Sequence, residues 1–301
     1  MAGDAVGPQV MARPATALRV SRATQALPSA VNGGWIGAAI LAFSIFAVLG
    51  PFAWILTASF KYQIAIYSGE WPFTPTWSNY ADVLFGRRSD FVTNILNSLI
   101  VASASTALVL IVGALAAYSL QHFRWPAWVS ATFLGWTLVF HMIPVMTLIG
   151  PWYVAFRELG LYDTRVALVL AHVTINLPMT VWLMRAFFRE VPREIEEAAV
   201  VDGCRPFQAF YRVTLPLVVP GLIAAGILAF IFSWNEFPVA LSLTSRDLAT
   251  VPVAIARFAQ QYEIQHSQMA AASIIATIPA LILMAVGQRF IVRGLTLGAV
   301  K

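Results

Sequence analysis

Charged residues are scarce in this 301-residue chain, in which Asp, Glu, Lys and Arg together make up 11% of the sequence. Soluble domains carry about 25% charged residues and about 45–50% apolar ones. Here 59% of the residues are hydrophobic, and the mean hydropathy is +0.75. The low charge excludes a water-facing globule and an intrinsically disordered chain, so we expect much of the protein surface to contact lipid.

Signatures of catalysis and of metal binding are also missing. The single cysteine, Cys204, excludes an internal disulfide and a Cys-x-x-Cys site. No HExxH, GxSxG or G-x4-G-K-S/T sequence occurs, and His141 and His172 have no Cys, Asp or Glu at ligand spacing. We therefore predict no catalytic residue, no bound metal and no ATP hydrolysis by this chain. The two histidines are expected to hydrogen-bond within the protein, with a metal site as the alternative.

Long uncharged stretches are the main positive feature of the sequence. A helix needs roughly 20 apolar residues to cross a bilayer core of about 30 Å. Six stretches have this length and composition, so the sequence predicts an all-α integral membrane protein with six transmembrane helices. The helices are expected within Val31–Phe60, Phe91–Phe123, Trp125–Phe156, Val166–Met184, Val213–Asn235 and Ile264–Gln288.

The distribution of basic residues predicts the orientation of these spans. An even number of spans places both termini on one side of the membrane. The loops and ends on that side hold 12 Lys and Arg residues, against 7 on the opposite side. The positive-inside rule assigns the richer side to the cytoplasm. The net charge of +5 is spread over loops and ends rather than gathered in one basic patch, which argues against nucleic acid as a partner.

The connection between the fourth and fifth spans is unusually charged. Residues 185–212 hold five Arg and five acidic residues. Pro192 and the acidic residues that follow it favour the first turn of a helix. Gly203 favours a left-handed stop after Asp202. We therefore predict a folded cytoplasmic element at this point of the chain.

A second short helix is predicted after the glycine. It starts at Arg205, and Phe207, Phe210 and Tyr211 then fall at i, i+3 and i+4 on one face. Two short helices that meet at a glycine form a rigid knob suited to insertion into a groove of another protein. The alternative is an amphipathic hairpin on the bilayer surface. The equal numbers of acids and bases favour docking, because surface helices of that kind are rich in Lys and Arg.

The same segment carries a motif with fixed spacing. The residues of this motif are Glu197, Ala198, Ala199, Gly203, Val213, Leu215 and Pro216. With valine in place of isoleucine, they resemble the E-A-A-x3-G-x9-I-x-L-P loop of ABC importer permeases. Further features resemble the carbohydrate-uptake branch of that family, in particular the smaller permease of maltose-type transporters. These features are Asn97-Ser98, Ala117-Tyr118, Asn176-Leu177-Pro178, Trp234-Asn235-Glu236-Phe237 and residues 294–301.

The resemblance covers residues 34–301 and implies a coupling role for the charged connection. A coupling helix would dock into a cleft of a separate ATP-binding subunit, which would carry the ATP and Mg²⁺, with no cofactor on this chain. The residues implied in this contact are Glu197, Ala198, Ala199, Asp202, Gly203, Phe207, Phe210, Leu215 and Pro216.

The resemblance also implies the organisation of the chain. Residues 1–33 would be a cytoplasmic N-terminal tail, and residues 34–293 would be a six-helix permease domain with its coupling loop at about 189–215. Residues 294–301 would be a cytoplasmic tail that contacts the ATPase, with a frayed end as the alternative. The tail residues implied in that contact are Gly294, Thr296, Gly298 and Lys301.

The implied partners belong to a bacterial cytoplasmic membrane. They are a second, homologous permease that forms a heterodimer with this chain, an ATP-binding subunit dimer and an extracytoplasmic solute-binding protein. The implied substrate is a sugar or a sugar-derived solute.

Three polar residues in the spans are candidates for lining the transport pathway: Asn176, Asn235 and Glu236. Because burying a carboxylate is costly, Glu236 permits another interpretation, a proton- or ion-coupled secondary transporter. It lies 20 residues beyond Pro216, which is about 30 Å along a helix and therefore near the outer mouth. We expect Glu236 to be a polar point at which the fifth span bends. For Asn176, a helix-to-helix hydrogen bond is the alternative.

Overall fold

The computed structural model describes Gly3, residues 34–259 and residues 264–297, with side chains for residues 35–259 and 264–288. Regular structure in these residues is helical, apart from an isolated β-bridge between Ala259 and Ile264. The helices are α1 (Gly34–Ser59), α2 (Gln63–Tyr67), α3 (Ser78–Phe85), α4 (Phe91–His122), α5 (Ala127–Met142), α6 (Val145–Glu158), α7 (Arg165–Glu190), α8 (Arg193–Val201), α9 (Pro206–Ala209), α10 (Leu215–Leu217), α11 (Val219–Trp234), α12 (Pro238–Leu243), α13 (Val251–Ala256) and α14 (His266–Leu297). A π-helical turn, Phe210–Thr214, lies between α9 and α10.

Four of the described helices, α1, α4, α7 and α14, are long and apolar enough to cross a membrane. Two further pairs meet the same requirement together but are sharply bent. Helices α5 and α6 meet at 98°, and the segment from α9 to α10 meets α11 at 75°. The described chain therefore holds four such helices, or up to six if each bent pair is one span. The predicted all-α membrane fold is confirmed, and the number six stays a prediction.

Prolines explain part of this bending. Pro144 lies in the break between α5 and α6, within the predicted third span. Proline lacks a backbone N–H and clashes with the preceding turn, so it favours such breaks. Pro178 lies inside α7, which continues through it. Proline within a span favours a kink, but the helix is interrupted at Pro144 and not at Pro178.

The chain divides into two compact units, residues 1–50 and residues 51–301. In the first unit the structure describes Gly3 and the beginning of α1. The second unit contains the end of α1 and all the other helices given above. The candidate sites discussed below all lie in this second unit.

Helices α4, α7 and α11 approach one another closely because small residues lie at their contacts. A Cβ atom on Gly113 of α4 would lie 2.7 Å from the Cγ2 of Thr180 in α7. A Cβ atom on Gly221 of α11 would lie 2.4 Å from the Phe187 ring of α7. Helix association in lipid depends on close packing of this kind, since lipid tails are as apolar as the side chains.

Polar side chains tie a loop to the bundle at the end where α4 and α7 begin. Asn97 of α4 donates from its Nδ2 to carbonyls at residues 247 and 249, at 3.0 and 3.2 Å, and its Oδ1 accepts from Arg165. The neighbouring Ser98 hydroxyl accepts the N–H of Val251 at 2.8 Å. The charged connection lies at the other end, where α7 leads into α8.

Candidate coupling site

The charged segment, residues 189–215, forms a compact helical element after α7. Helix α8 ends at a left-handed turn in which Gly203 has a φ of +91°. The N–H of Cys204 donates to the Ala199 carbonyl at 3.0 Å, and the N–H of Gly203 donates to the Val200 carbonyl at 3.0 Å. These bonds form a Schellman motif, in which glycine avoids the steric cost of a side chain at positive φ. The predicted helix stop is therefore present.

Most residues of the predicted docking set lie at the surface of this element. A Cβ atom on Gly203 would meet no atom within 4 Å. Two apolar side chains beside it are also exposed, Val201 at 86% and Phe207 at 67%. Exposed apolar side chains gathered at one turn indicate a contact surface. The exposed members of the set are Glu197, Ala198, Asp202, Gly203, Phe207 and Pro216, whereas Ala199 and Leu215 are half-buried.

The predicted aromatic face of the second helix is divided between two environments. Helix α9 has a single turn and passes into the π-helical turn, so the spacing of an α-helix is not maintained. Phe207 and Tyr211 are 67% and 40% exposed, but Phe210 is 5% exposed. The Phe210 ring packs against Tyr118 of α4, with centroids 4.4 Å apart. The prediction that Phe210 belongs to the docking face is therefore corrected, because it anchors the segment to the bundle.

A second anchor, Glu196, was not predicted from the sequence. Its Oε1 accepts a short hydrogen bond from the Tyr118 hydroxyl, and its Oε2 accepts one from the Thr214 hydroxyl at 3.3 Å. The His122 Nε2 lies 2.5 Å from the same Oε2, and the two side chains are 10% and 14% exposed. The spacing of Tyr118 and His122 places them on one face of α4. Which acidic residue meets that face depends on the turn between α7 and α8, which the sequence pattern does not determine.

Glu236, a pathway candidate, caps a helix. Its two carboxylate oxygens accept the backbone N–H groups of Val239 and Ala240, each at 3.0 Å, in the first turn of α12. The predicted bend lies here, because α11 ends at Trp234 and α12 begins four residues later. His172 lies 3.6 Å from the carboxylate, and its Nδ1 is 2.6 Å from a serine hydroxyl of α11. Both carboxylate oxygens of Glu236 therefore accept hydrogen bonds from the backbone.

The other two pathway candidates hydrogen-bond within their own helices. Asn176 is buried and lines a narrow gap between α7 and α11, and its Nδ2 donates to the His172 carbonyl at 2.9 Å. This bond lies within α7 and is not the helix-to-helix bond named as the alternative. Asn235 is exposed, and its Nδ2 donates to the Ile231 carbonyl at 2.9 Å. Asn235 and Glu236 lie together at the end of α11, and Asn176 is apart from them in α7.

The predicted tails lie largely outside the described residues. Gly294 and Thr296 belong to the last turns of α14, which is helical to Leu297, whereas Gly298 and Lys301 lie outside. The N-terminal tail also lies outside, apart from Gly3. Within the ranges that the structure covers, no group of three or more His, Cys, Asp or Glu side chains is arranged to hold a metal ion.

The charged segment and the helices around it match a known protein family. Residues 109–297 match the family described as "Binding-protein-dependent transport system inner membrane component". This match includes the whole charged segment and the helices that follow it. The chain belongs to this family of ABC importer permeases. The resemblance drawn from the motif is therefore confirmed.

Relatives of this permease match it over most of its length. It is 39% identical over 255 residues to the trehalose transport system permease protein SugB of Mycobacterium tuberculosis, which covers 83% of this chain and 92% of the relative. It is 33% identical to the trehalose/maltose transport system permease protein MalG of Thermococcus litoralis, with coverages of 88% and 95%. Both relatives are named as permease proteins of transport systems.

A solved structure supports the fold. The permease superposes on a chain of a bacterial ABC transporter that imports the acidic polysaccharide alginate, with a TM-score of 0.72 and 23% sequence identity. The superposition covers 85% of this chain and 95% of the other. The helical arrangement described above is therefore an ABC permease fold.

Proposed function

We propose that this permease imports a sugar or a sugar-derived solute into the cytoplasm, driven by ATP hydrolysis in a separate subunit. The observation that carries this proposal is the exposed turn around Gly203, which bears the permease motif on a rigid helical element. The substrate class follows the relatives, which are named as trehalose and maltose permeases. The family description names a binding-protein-dependent transport system, and this supports an external solute-binding protein as a partner.

The exposed turn docks into a cleft of the ATP-binding subunit. Val201 and Phe207 supply apolar contact, and Glu197 and Asp202 supply charge at its border. A small patch of exposed apolar side chains within a polar rim is the usual anatomy of a protein interface. Closure of an ATP-binding dimer would then displace the charged segment and the helices attached to it. The ATP and Mg²⁺ belong to that partner.

Six spans account for the architecture, with α5–α6 and α9–α11 each crossing the membrane as one bent span. Both termini and the charged segment then lie in the cytoplasm of a bacterial cell, as the 12 to 7 distribution of basic residues favours. The solute-binding protein contacts the opposite end of the bundle. An open cavity of about 1290 Å³ lies at that end, and its lining includes Arg87, Arg88, Arg246 and Arg257.

A second, homologous permease completes the pathway. A single bundle of this size leaves many large apolar side chains exposed, among them Phe232 of α11 at 51% beside the narrow gap that Asn176 lines. A heterodimer would place such a face against a partner helix. In the same assembly Gly294, Thr296, Gly298 and Lys301 would contact the ATP-binding subunits. These contacts follow from the family resemblance.

The secondary-transporter interpretation is less well supported by the geometry. A proton-coupled carrier needs a carboxylate that is free to take up and release a proton during transport. Both oxygens of Glu236 accept backbone N–H groups at the start of α12. This arrangement gives Glu236 a structural role in the fold. Nor would a carrier of that class need the motif-bearing turn.

The proposal is tested by co-expressing the permease with the remaining subunits of its transporter and reconstituting the purified complex into liposomes. We expect uptake of a labelled disaccharide that requires internal ATP and the binding protein. The informative variant is Gly203→Arg, which fills the outward turn with a long charged side chain. We expect it to lower uptake about tenfold or more, within the range typical of coupling between sites.

The matched control is Gly203→Asn, since asparagine tolerates a positive φ and adds a short side chain. It should retain most of the uptake. Correct insertion of both variants is checked by protease accessibility of the loops. Normal uptake by correctly inserted Gly203→Arg would refute the docking role of the turn.

A further inference from the structure

We propose that Tyr118, His122, Glu196 and Thr214 form a clasp that fixes the charged segment to the end of α4, so that both move as one body during transport. The proposal rests on the function proposed above, because it concerns how movement of the docked segment reaches the membrane. In this clasp Glu196 is a positioning residue: it contacts the bundle, and its neighbour Glu197 points to the surface.

Side chains from two other elements converge on the Glu196 carboxylate. Tyr118 and His122 come from the last turns of α4, Glu196 comes from α8, and Thr214 ends the π-helical turn. The carboxylate accepts hydrogen bonds from both hydroxyls and lies 2.5 Å from His122 Nε2. Every polar contact that the structure gives the carboxylate is thus made outside its own helix.

Burial makes these contacts difficult to exchange for water. The Glu196 side chain is 14% exposed and that of His122 is 10% exposed. A partly buried carboxylate that loses its partners keeps the cost of desolvation without compensation, so such contacts resist opening. The clasp therefore favours joint movement of α4 and α8 over sliding between them.

Packing around the polar contacts reinforces the connection. The Tyr118 ring stacks on His122 with centroids 4.2 Å apart and packs against Phe210 at 4.4 Å. It also meets Phe188 of α7 at 5.7 Å in an edge-to-face arrangement. One more bond joins the same elements, since Arg193 of α8 donates to the Gln121 carbonyl of α4 at 2.8 Å. A displacement of α8 is thus transmitted to α4, which packs along α7 in the core.

The clasp is tested in the reconstituted complex by measuring uptake per ATP hydrolysed. We expect Glu196→Gln and His122→Leu to lower this ratio about tenfold while ATP hydrolysis and complex yield stay near those of the parent. His122→Arg should retain the ratio, because a guanidinium at this position can donate to the carboxylate. The matched control is Glu194→Gln on the exposed face of α8, which should leave the ratio unchanged.

A covalent replacement distinguishes transmission from simple stability. In a Cys204→Ser background, His122→Cys combined with Glu196→Cys removes the clasp and should show the same low ratio. Joining the two cysteines with a short bis-maleimide should restore uptake per ATP, because the elements are then held together again. The same reagent on either single cysteine variant should restore nothing.

The outcomes separate the two proposals. A parent complex without ATP-dependent uptake would refute the proposed function itself. A working parent together with a normal ratio in Glu196→Gln would refute the clasp alone. A cross-link that fails to restore uptake would show that α4 and α8 must separate during transport, which would also overturn the clasp. If Glu196→Gln does not assemble, the cross-linked pair still decides the question.

Discussion

At the scale of single residues, two partly buried carboxylates have different tasks because their partners differ. Glu236 accepts two backbone N–H groups from the turn that follows it in the chain. Glu196 instead meets side chains of α4 and of the π-helical turn. A carboxylate at a helix N-terminus satisfies orphan donors and complements the helix dipole, so its effect is local. A carboxylate shared between elements connects them.

The first prediction concerns Glu236→Gln. The amide offers one acceptor oxygen where the carboxylate offers two, so one N–H at the start of α12 loses its partner. We expect the permease to lose about 1 kcal/mol of stability, within the range measured for helix caps. The measurement is the thermal unfolding midpoint in detergent, compared with that of the parent. Uptake should remain driven by ATP and should be unaffected by a protonophore.

The carrier interpretation gives the opposite pattern. It expects Glu236→Gln to unfold at the parent's temperature and to lose uptake completely. Strict dependence of the parent's uptake on a proton gradient would also contradict the ABC importer. Glu194→Gln serves again as the control, because it removes an exposed carboxylate to which neither interpretation gives a role.

At the scale of elements, glycine contacts set how closely the central helices pack. Gly221 lies in the first turn of α11, and its Cα faces the Phe187 ring of α7 at a distance that leaves no room for a Cβ atom. Gly135 of α5 has no atom within 4 Å of its Cβ position and is exposed. The two glycines therefore differ in packing and not in backbone conformation.

The second prediction uses this difference. Gly221→Val should destabilise the permease, because forcing methyl groups into a packed contact typically costs about 1–3 kcal/mol. Gly135→Val should leave the stability nearly unchanged, since the side chain enters open space. The thermal unfolding midpoints of the two variants are compared in the same detergent. Equal midpoints would mean that α7 and α11 do not pack as described.

At the scale of the whole molecule, the orientation of the bundle decides which end each partner meets. The structure places the charged segment at one end and the loop tied by Asn97 and Ser98 at the other. The distribution of basic residues favours the assignment, proposed above, of the first end to the cytoplasm. The chain offers a natural probe of this assignment, because Cys204 is its single cysteine and lies in the charged segment, half-buried.

The third prediction is that a membrane-impermeant maleimide labels Cys204 in inside-out vesicles stripped of the ATP-binding subunit. It should not label Cys204 when it is added outside cells whose cytoplasmic membrane is intact. In a Cys204→Ser background, Asp247→Cys at the opposite end should give the reverse pattern. Labelling of Cys204 from outside would invert the assigned orientation. Rebinding of the ATP-binding subunit should protect Cys204 if the charged segment is the docking site.

A large part of the fold follows from local sequence properties. The apolar stretches predicted the long helices α1, α4, α7 and α14, because span length and lack of charge are local features. The stop at Gly203 was likewise predictable, since a left-handed turn after a helix selects glycine. The motif around Glu197 identified the family, because its spacing is read directly from the chain.

Tertiary structure decided what depends on contacts between distant residues. The burial of Phe210 follows from the π-helical turn and from the position of Tyr118, 92 residues earlier in the chain. The partners of Glu196 likewise lie on elements that meet only after α4 and α7 have packed. Helical spacing determines which residues share a face, whereas the direction of that face, towards the bundle or towards a partner, is set by packing between helices.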